Sequence, residues 1–147
     1  MAFASSAQIP PIQVLSDRIT LLHRSGNSPS QMSVMVVDVP PGGFVPPHSH
    51  AREEEGYFVL EGELSLTVGD ETRALDAGDF GHVPPQALHG YANHSDRPVR
   101  FLAWTVGGPI DRFFEAMSEQ VHEMPRDAAI MAQIADRFGV TMAGPPA

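Results

Sequence analysis

The chain has 147 residues, a formal net charge of -9 and no cysteine or lysine, against seven histidines and eighteen acidic residues. The absence of cysteine and lysine excludes disulfides, thiolate metal sites, cysteine nucleophiles, Schiff-base chemistry and a P-loop lysine. The acidic charge and the lack of a long apolar stretch argue against nucleic acid and membranes as partners. We therefore expect one domain whose chemistry depends on histidine, carboxylate, hydroxyl and arginine groups.

Residues 1–18 are predicted to form a loose N-terminal arm. Its first eight residues lack the basic and apolar regions of a secretory signal, so we expect a cytoplasmic protein. Residues 19–108 instead show short alternating stretches, such as Leu64, Leu66 and Val68, separated by glycine and proline turns. Strands are predicted at Ile19–Arg24, Met32–Val39, Phe44–His50, Gly56–Leu60, Leu64–Val68, Glu71–Leu75, Phe80–Val83, His89–Asn93 and Val99–Val106. Many short strands at close spacing are typical of an all-β sandwich or barrel.

The remaining segment, residues 109–147, changes from an alternating to a helical pattern. Apolar residues recur at helical spacing over Phe113–Val121 and again over Ile130–Phe138. Gly139 stands where a glycine commonly ends a helix. We predict two C-terminal helices that pack on the barrel or on a partner subunit, followed by an irregular tail at Val140–Ala147.

Histidines and acidic residues gather at two places in the predicted barrel. His48 and His50 are two residues apart, so both leave the same face of an extended strand. Glu53–Glu55 follow at once, and His89 lies on a later predicted strand. If these strands converge, three neutral imidazoles and one carboxylate suit a divalent transition metal. Taken singly, each feature has an ordinary explanation as a core histidine, a surface histidine or a solvated run of charge.

The spacing of these residues resembles the two sequence motifs of the cupin superfamily. The first motif is matched at every fixed position: Pro41, Gly42, His48, His50, Glu55 and Gly62. The second is matched at all positions but one: Gly78, Pro84, His89 and Asn93. The glycine expected two residues after Pro84 is Gln86, a departure in a turn rather than among the implied metal ligands.

The resemblance implies a cupin double-stranded β-helix, which is a jelly-roll barrel. It implies one divalent transition metal per chain (Fe, Mn, Ni, Co, Cu or Zn) with His48, His50, Glu55 and His89 as ligands. Glu54 is the alternative to Glu55, because adjacent strand residues point to opposite faces. The motif spacing favours Glu55, and an inward Glu55 would place Glu53 on the inward side as well.

The C-terminal segment resembles small bacterial cupins described as quercetin 2,3-dioxygenase-like. The resemblance is carried by Gly107–Pro109, Phe113–Glu115, Arg137–Gly139 and Gly144–Pro146. It implies a metal-dependent oxidoreductase, a dioxygenase that acts on a flavonol or a related aromatic or enolic molecule. Glu55 would then be both ligand and general base, which requires a carboxyl pKa raised by burial. A non-oxidative lyase, isomerase or cyclase, and a non-enzymatic small-molecule binding protein, remain as alternatives.

Aromatic side chains on the predicted strands are expected to line a pocket for a flat or apolar substrate. These are Phe44, Tyr57 (or its neighbour Phe58), Phe80, Tyr91 and Trp104. Four histidines lie outside the motifs: His23, His82, His94 and His122. The partners expected are a small-molecule substrate, dioxygen and, since cupins commonly dimerise, a second copy of the chain.

Overall fold

A computed structural model describes residues 2–143, which form two antiparallel β-sheets and two helices. The strands are β1 (Ile12–Val14), β2 (Asp17–His23), β3 (Ser33–Val39), β4 (Phe44–His50), β5 (Glu54–Glu61), β6 (Glu63–Val68), β7 (Glu71–Asp76), β8 (Phe80–Val83), β9 (His89–Ala92), β10 (Val99–Val106) and β11 (Val140–Met142). The helices are α1 (Ile110–Gln120) and α2 (Ala128–Arg137), and short 3-10 turns lie at Ser6–Gln8 and Ser25–Asn27.

The two sheets face each other across a shared apolar core. One sheet has the strand order β1-β2-β3-β10-β5-β8 and the other has the order β11-β4-β9-β6-β7. Strand β10 illustrates how the strands contribute to this core. Its alternate residues are buried and the residues between them are partly exposed; the buried ones are Val99, Phe101, Ala103 and Thr105. This period-two alternation turns one face of each sheet inward. The predicted all-β barrel with C-terminal helices is confirmed.

Each predicted strand corresponds to one of β2–β10, but two further strands lie where no strand was predicted. Strand β1 lies inside the predicted arm and pairs with β2. Strand β11 corrects the prediction of an irregular tail from Val140, because Val140–Met142 pairs with β4. Three residues are too few to show an alternating pattern, so only their pairing partners reveal these strands. Gly144–Pro146, part of the C-terminal resemblance, lies outside the described residues.

The helices close one side of the barrel. Helix α1 buries Phe113 and Met117 and packs on β1, while α2 buries Ile134 and packs on β11. Gly139 follows α2 with a φ of 69°, a left-handed conformation that glycine adopts without strain. Neither described helix has the length and apolar character needed to cross a bilayer.

Candidate metal centre

Strands β4 and β9 bring three histidines together on the inner face of one sheet. His48 pairs directly with His89, and His50 follows on the same face of β4. All three residues are buried, and their ligand nitrogens lie within 4.8 Å of one another. The three histidines are therefore positioned to bind one metal ion.

The backbone around these histidines is shaped by proline and glycine. The β4–β9 register shifts between Val45 and His48, where Pro46 and Pro47 have no N–H to donate to a neighbouring strand. A Cβ atom at Gly90 would lie 2.7 Å from the Val45 carbonyl oxygen and 3.1 Å from the Pro47 nitrogen. Only glycine therefore allows β9 to approach the shifted segment of β4 this closely.

Backbone carbonyls orient two of the imidazole rings. Nδ1 of His48 lies 2.9 Å from the Pro46 carbonyl oxygen, and Nδ1 of His89 lies 3.0 Å from that of Ala87. A carbonyl oxygen only accepts, so each Nδ1 carries a proton, and Nε2 of His48 keeps a lone pair for an ion. Nε2 of His89 faces the Glu55 carboxylate, which also only accepts, so this nitrogen carries a proton in the metal-free chain and must release it to bind an ion. Nδ1 of His50 is buried and has no hydrogen-bond partner among the described residues.

Glu55 reaches the histidines from the opposite sheet. Its Oε2 lies 3.1 Å from Nε2 of His89 and 3.6 Å from Nε2 of His50. Glu54 points outward, where its carboxylate lies 2.7 Å from Nε2 of the exposed His82. Glu53 is buried, as expected for a residue that shares the inward side with Glu55. The geometry thus places Glu55, and not Glu54, beside the three histidines.

Burial and mutual charge determine the protonation of this cluster. Burial, with the neighbouring imidazoles, lowers the pKa of His48 to about 4, and burial also lowers the pKa of His50. Burial opposes charge on His89 as well, but its hydrogen bond to Glu55 and the charge of Glu55 outweigh burial and raise its pKa.

Glu55 responds to the same neighbours in the opposite sense. Burial favours its neutral form, but the hydrogen bond from His89 and the charges of the imidazoles outweigh burial and lower its pKa. An ionised carboxylate beside imidazoles is a suitable donor set for a divalent transition metal. The direction is opposite to the raised pKa that the general-base role of Glu55 requires.

The histidines line a narrow cavity that extends between the sheets and under the helices. The part between Glu55, Tyr57 and Tyr91 has a volume of about 40 Å³, and the part under Phe114 and Met117 has a volume of about 60 Å³. Tyr57 and Tyr91 are thus the two predicted pocket residues that lie beside the histidines. Tyr57 faces inward, whereas its neighbour Phe58 faces outward.

The structure does not bring the other three predicted lining residues to this cavity. Phe44 is 60% exposed at the start of β4. Phe80 and Trp104 stack on each other, with ring centroids 5.8 Å apart, on the outer face of the six-stranded sheet. The reason is the alternation of β10 and β8, which turns Ala103 and Val83 inward and the two aromatic rings outward.

The four histidines outside the motifs also lie away from the cluster. Nδ1 of His23 lies 2.9 Å from the Met32 carbonyl oxygen, and Nε2 of His122 lies 2.9 Å from that of Glu119. His94 is exposed in the turn that follows β9. His82 is exposed, so it lies neither in the core nor in the cavity beside the three histidines.

Asp17 is the residue of this cavity that sequence reasoning missed. It begins β2, is 3% exposed and accepts a hydrogen bond from the Tyr91 hydroxyl. Burial raises the pKa of Asp17 to about 6, although the hydrogen bonds from Tyr91 and Ser16 oppose the shift. The sequence did contain a signal for its position, because Asp17 stands two residues before Ile19 and four before Leu21. Residues two and four apart on a strand share one face, here the inward face of β2.

Comparison with known proteins agrees with this geometry. Residues 35–105 match the family model described as the cupin domain. The chain is 42% identical to H2HPP isomerase of Bacillus subtilis over 67 residues, and the aligned region covers 45% of this chain and 28% of that protein. It is 32% identical to quercetin 2,3-dioxygenase of Bacillus subtilis over 76 residues, and that aligned region covers 52% of this chain and 22% of the relative.

The matched part thus spans less than a third of either relative. Among solved structures, KdgF from Halomonas sp. superposes with a TM-score of 0.68 at 18% identity. That match covers 76% of this chain and 98% of the other. At this level of identity the similarity shows a shared fold.

Proposed function

This chain belongs to the cupin superfamily, and from that premise we propose that it is a metal-dependent dioxygenase of the quercetinase-like type. The proposed substrates are dioxygen and a flavonol, or a related aromatic or enolic molecule. One observation carries the proposal: the imidazoles of His48, His50 and His89 meet the Glu55 carboxylate in a cavity with aromatic and apolar walls. The 32% identity to quercetin 2,3-dioxygenase of Bacillus subtilis supports this chemistry.

The proposed metal ligands are Nε2 of the three histidines and the Glu55 carboxylate. One divalent ion (Fe, Mn, Ni, Co, Cu or Zn) would supply a Lewis acid for a substrate oxygen and, for the redox-active metals, a centre for dioxygen chemistry. The two Nδ1 hydrogen bonds to backbone carbonyls orient the rings of His48 and His89 so that each Nε2 points toward such an ion. Glu55 would balance part of the charge of the ion.

Glu55 is also the proposed general base. Its ionised form is available to accept a proton from a substrate hydroxyl, as the family resemblance implies. The surrounding imidazoles lower its pKa, however, so they weaken it as a base.

The apolar walls of the cavity exclude water and favour an apolar substrate. The spaces of about 60 and 40 Å³ are smaller than a multi-ring flavonol, so entry requires the wall under the helices to move outward. Met117 and Met131 contribute to that wall, and methionine side chains adapt readily to a new shape. We therefore expect Phe114 and these methionines to rearrange when a substrate binds.

The proposal is tested by oxygen consumption. The full chain is stripped of metal, reconstituted anaerobically with each first-row divalent ion, and mixed with aerated buffer and a panel of flavonols. We expect uptake with at least one ion, and its loss in His50→Ala but not in His82→Ala, which removes an exposed histidine. The absence of uptake with every ion would contradict the proposal.

A non-oxidative isomerisation is a second candidate. It is favoured by two buried carboxyl groups in the same interior, Glu55 and Asp17, because one group could remove a proton from the substrate and the other could return it. The 42% identity to H2HPP isomerase supports this candidate. Substrate turnover that continues unchanged without oxygen would favour isomerisation over the dioxygenase.

We also propose a homodimer formed through the outer face of the six-stranded sheet. Phe80 stacks on Trp104 there and pairs with Phe58, which pairs in turn with Leu102. Phe58 and Phe80 are both exposed, so this face has apolar surface to bury against a second copy. A Phe80→Glu variant is expected to run as a monomer in size-exclusion chromatography with light scattering, whereas the unchanged chain runs as a dimer.

A further inference from the structure

Asp17 is a buried carboxyl group without a basic partner. Within residues 2–143, its hydrogen bonds come from two hydroxyls, those of Tyr91 and Ser16, and it takes part in no ion pair. A buried carboxylate lacking a cation is costly, so a protein keeps one mainly where its chemistry is used. The proposed metal ligands do not include it.

Asp17 faces the same interior as the three histidines. His89 and Tyr91 are two residues apart on β9 and therefore point to the same side. His89 contacts Glu55 across the gap between the sheets, and Tyr91 contacts Asp17 across the same gap. One cavity is lined by His48, His50, Tyr91 and Asp17 together.

The two oxygens of Asp17 have different surroundings. Oδ2 accepts the hydrogen bond from Tyr91. Oδ1 has only a long contact of 3.4 Å with the Ser16 hydroxyl, so it retains the capacity to bond a ligand in the cavity. Asp17 therefore has one oxygen held by the Tyr91 hydroxyl and one with only a weak hydrogen-bond partner.

The groups around Asp17 leave its carboxyl able to change protonation near neutral pH. Strand β9 presents the Tyr91 hydroxyl, β4 presents His48 and His50, and β5 presents Glu55 and Tyr57 to the same interior. The residues that α1, α2 and β11 contribute to this cavity are apolar. Burial among them raises the pKa of Asp17 to about 6, so both protonation states are populated under ordinary conditions.

We propose that Asp17 is a second acid–base residue of the cavity, which exchanges a proton with a hydroxyl or enol oxygen of the bound substrate through Oδ1. The inference rests on the proposed function, since it takes an aromatic or enolic molecule as the occupant. The substrate O–H bond breaks, its proton bonds to Oδ1, and the electron pair stays on the substrate oxygen. The reverse transfer restores the carboxylate without an oxidant or a reductant.

The test compares ligands that differ by one hydroxyl. The full chain, treated with a chelator to remove metal, is titrated with 3-hydroxyflavone and flavone, and with the single-ring pair 3-hydroxy-4-pyranone and 4-pyranone, between pH 5 and 8. Absorbance reports both binding and ligand protonation. The variants are Asp17→Asn, which keeps the shape of the side chain, and Asp136→Asn, which changes an exposed acid.

We expect the unchanged chain and Asp136→Asn to bind the hydroxylated member of a pair about tenfold more tightly above pH 6, which is the order of one charge-assisted hydrogen bond. This preference should fall as pH drops below 6 and should be absent in Asp17→Asn. A preference that persists in Asp17→Asn, or that does not depend on pH, would overturn the inference even if flavonols support oxygen uptake.

The pairs also separate this inference from the proposed function. Binding of the pyranones with an Asp17-dependent preference, while neither flavonoid binds, would support the inference and contradict a flavonol substrate. Failure of all four compounds to bind would overturn the inference together with the proposed substrate class.

Discussion

Glu55 and Asp17 are two buried carboxyl groups of one interior whose surroundings shift them in opposite directions. Glu55 lies beside the imidazoles of His50 and His89, which favour its charged form and lower its pKa. Asp17 lies among hydroxyls and apolar side chains, and burial raises its pKa to about 6. Burial is common to both, so the identity of the nearest polar neighbours decides the outcome.

The two carboxyl groups share one supporting strand. His89 and Tyr91 lie on the same face of β9, and each crosses to one acid on the opposite sheet. The imidazole favours the charged form of its acid, which suits a metal ion, whereas the phenol leaves its acid able to exchange a proton. Pairs of carboxyl groups with divergent pKa values are a recurring way to divide such tasks.

The largest effect is expected from removing an imidazole on the Glu55 side. His50→Ala should lower metal affinity by at least about 100-fold, since even residues that merely support a ligand contribute 10- to 100-fold. Competition with a chelator of known affinity measures the change, and circular dichroism checks the fold. His82→Ala, on the outer face, should bind metal normally, and unchanged affinity in His50→Ala would contradict the assigned site.

The next effect concerns the Asp17 side and depends on pH. The folded pKa of about 6 lies above the ordinary value of 3.8, so the folded chain binds more protons between these values and its stability falls as pH rises through them. Asp17→Asn removes the cost of burying an ionised carboxylate above pH 6. It should raise the free energy of unfolding by up to about 3 kcal/mol at pH 8 relative to the unchanged chain, and the gain should vanish below pH 4.

Urea unfolding at pH 4, 6 and 8 measures this gain. Asp136→Asn is the control, because it makes the same substitution at an exposed aspartate. A constant difference between Asp17→Asn and the unchanged chain at all three pH values would show that Asp17 does not titrate in this range.

A smaller effect is expected where the shared strand approaches β4. In Gly90→Ala the added Cβ would overlap the Val45 carbonyl, which belongs to the backbone and cannot rotate away. We expect a loss of about 1–3 kcal/mol in the free energy of unfolding, together with weaker metal binding. Gly26→Ala is the matched control, since a Cβ there meets no atom within 4 Å. Equal stability of the two variants would show that β4 and β9 can separate at Gly90 without cost, which would contradict the expected overlap with the Val45 carbonyl.

The smallest effect belongs to the turn before β9. Gln86 has a φ of 69°, the left-handed conformation that the expected glycine would adopt, and its N–H donates to the His50 carbonyl at 2.8 Å. Gln86→Gly should therefore raise stability by up to about 1 kcal/mol. Gln133→Gly, on the exposed face of α2, should lower it by about 1 kcal/mol. A loss of stability in Gln86→Gly would show that the turn is unstrained.

The sequence was sufficient to predict the Glu55 side of this comparison. His48, His50 and Glu55 stand at the spacings of the first cupin motif, and this resemblance, rather than strand alternation, favoured Glu55 over Glu54. Gln86 departs from the motif, yet the turn keeps the glycine-like backbone, so the departure did not displace His89.

The Asp17 side could not be predicted in the same way. The contact between Tyr91 and Asp17 joins residues 74 positions apart, and no motif links them. The outward position of Phe80 and Trp104 could not be predicted either, because an aromatic residue can occupy the inner or the outer face of a sheet. Only the register of β8, β5 and β10 shows that these two rings point outward.

The most direct test of the central claim is the titration of both carboxyl groups in one sample. Carbon-13 NMR of the metal-free full chain can follow the side-chain carboxyl signals of Glu55 and Asp17 from pH 3 to 8, with Asp17→Asn assigning one of them. Asp17 is expected to titrate near pH 6, and Glu55 below its ordinary value of 4.5. Titration of Asp17 at its ordinary value of 3.8, or of Glu55 above 4.5, would show that their neighbours do not shift the two carboxyl groups in opposite directions.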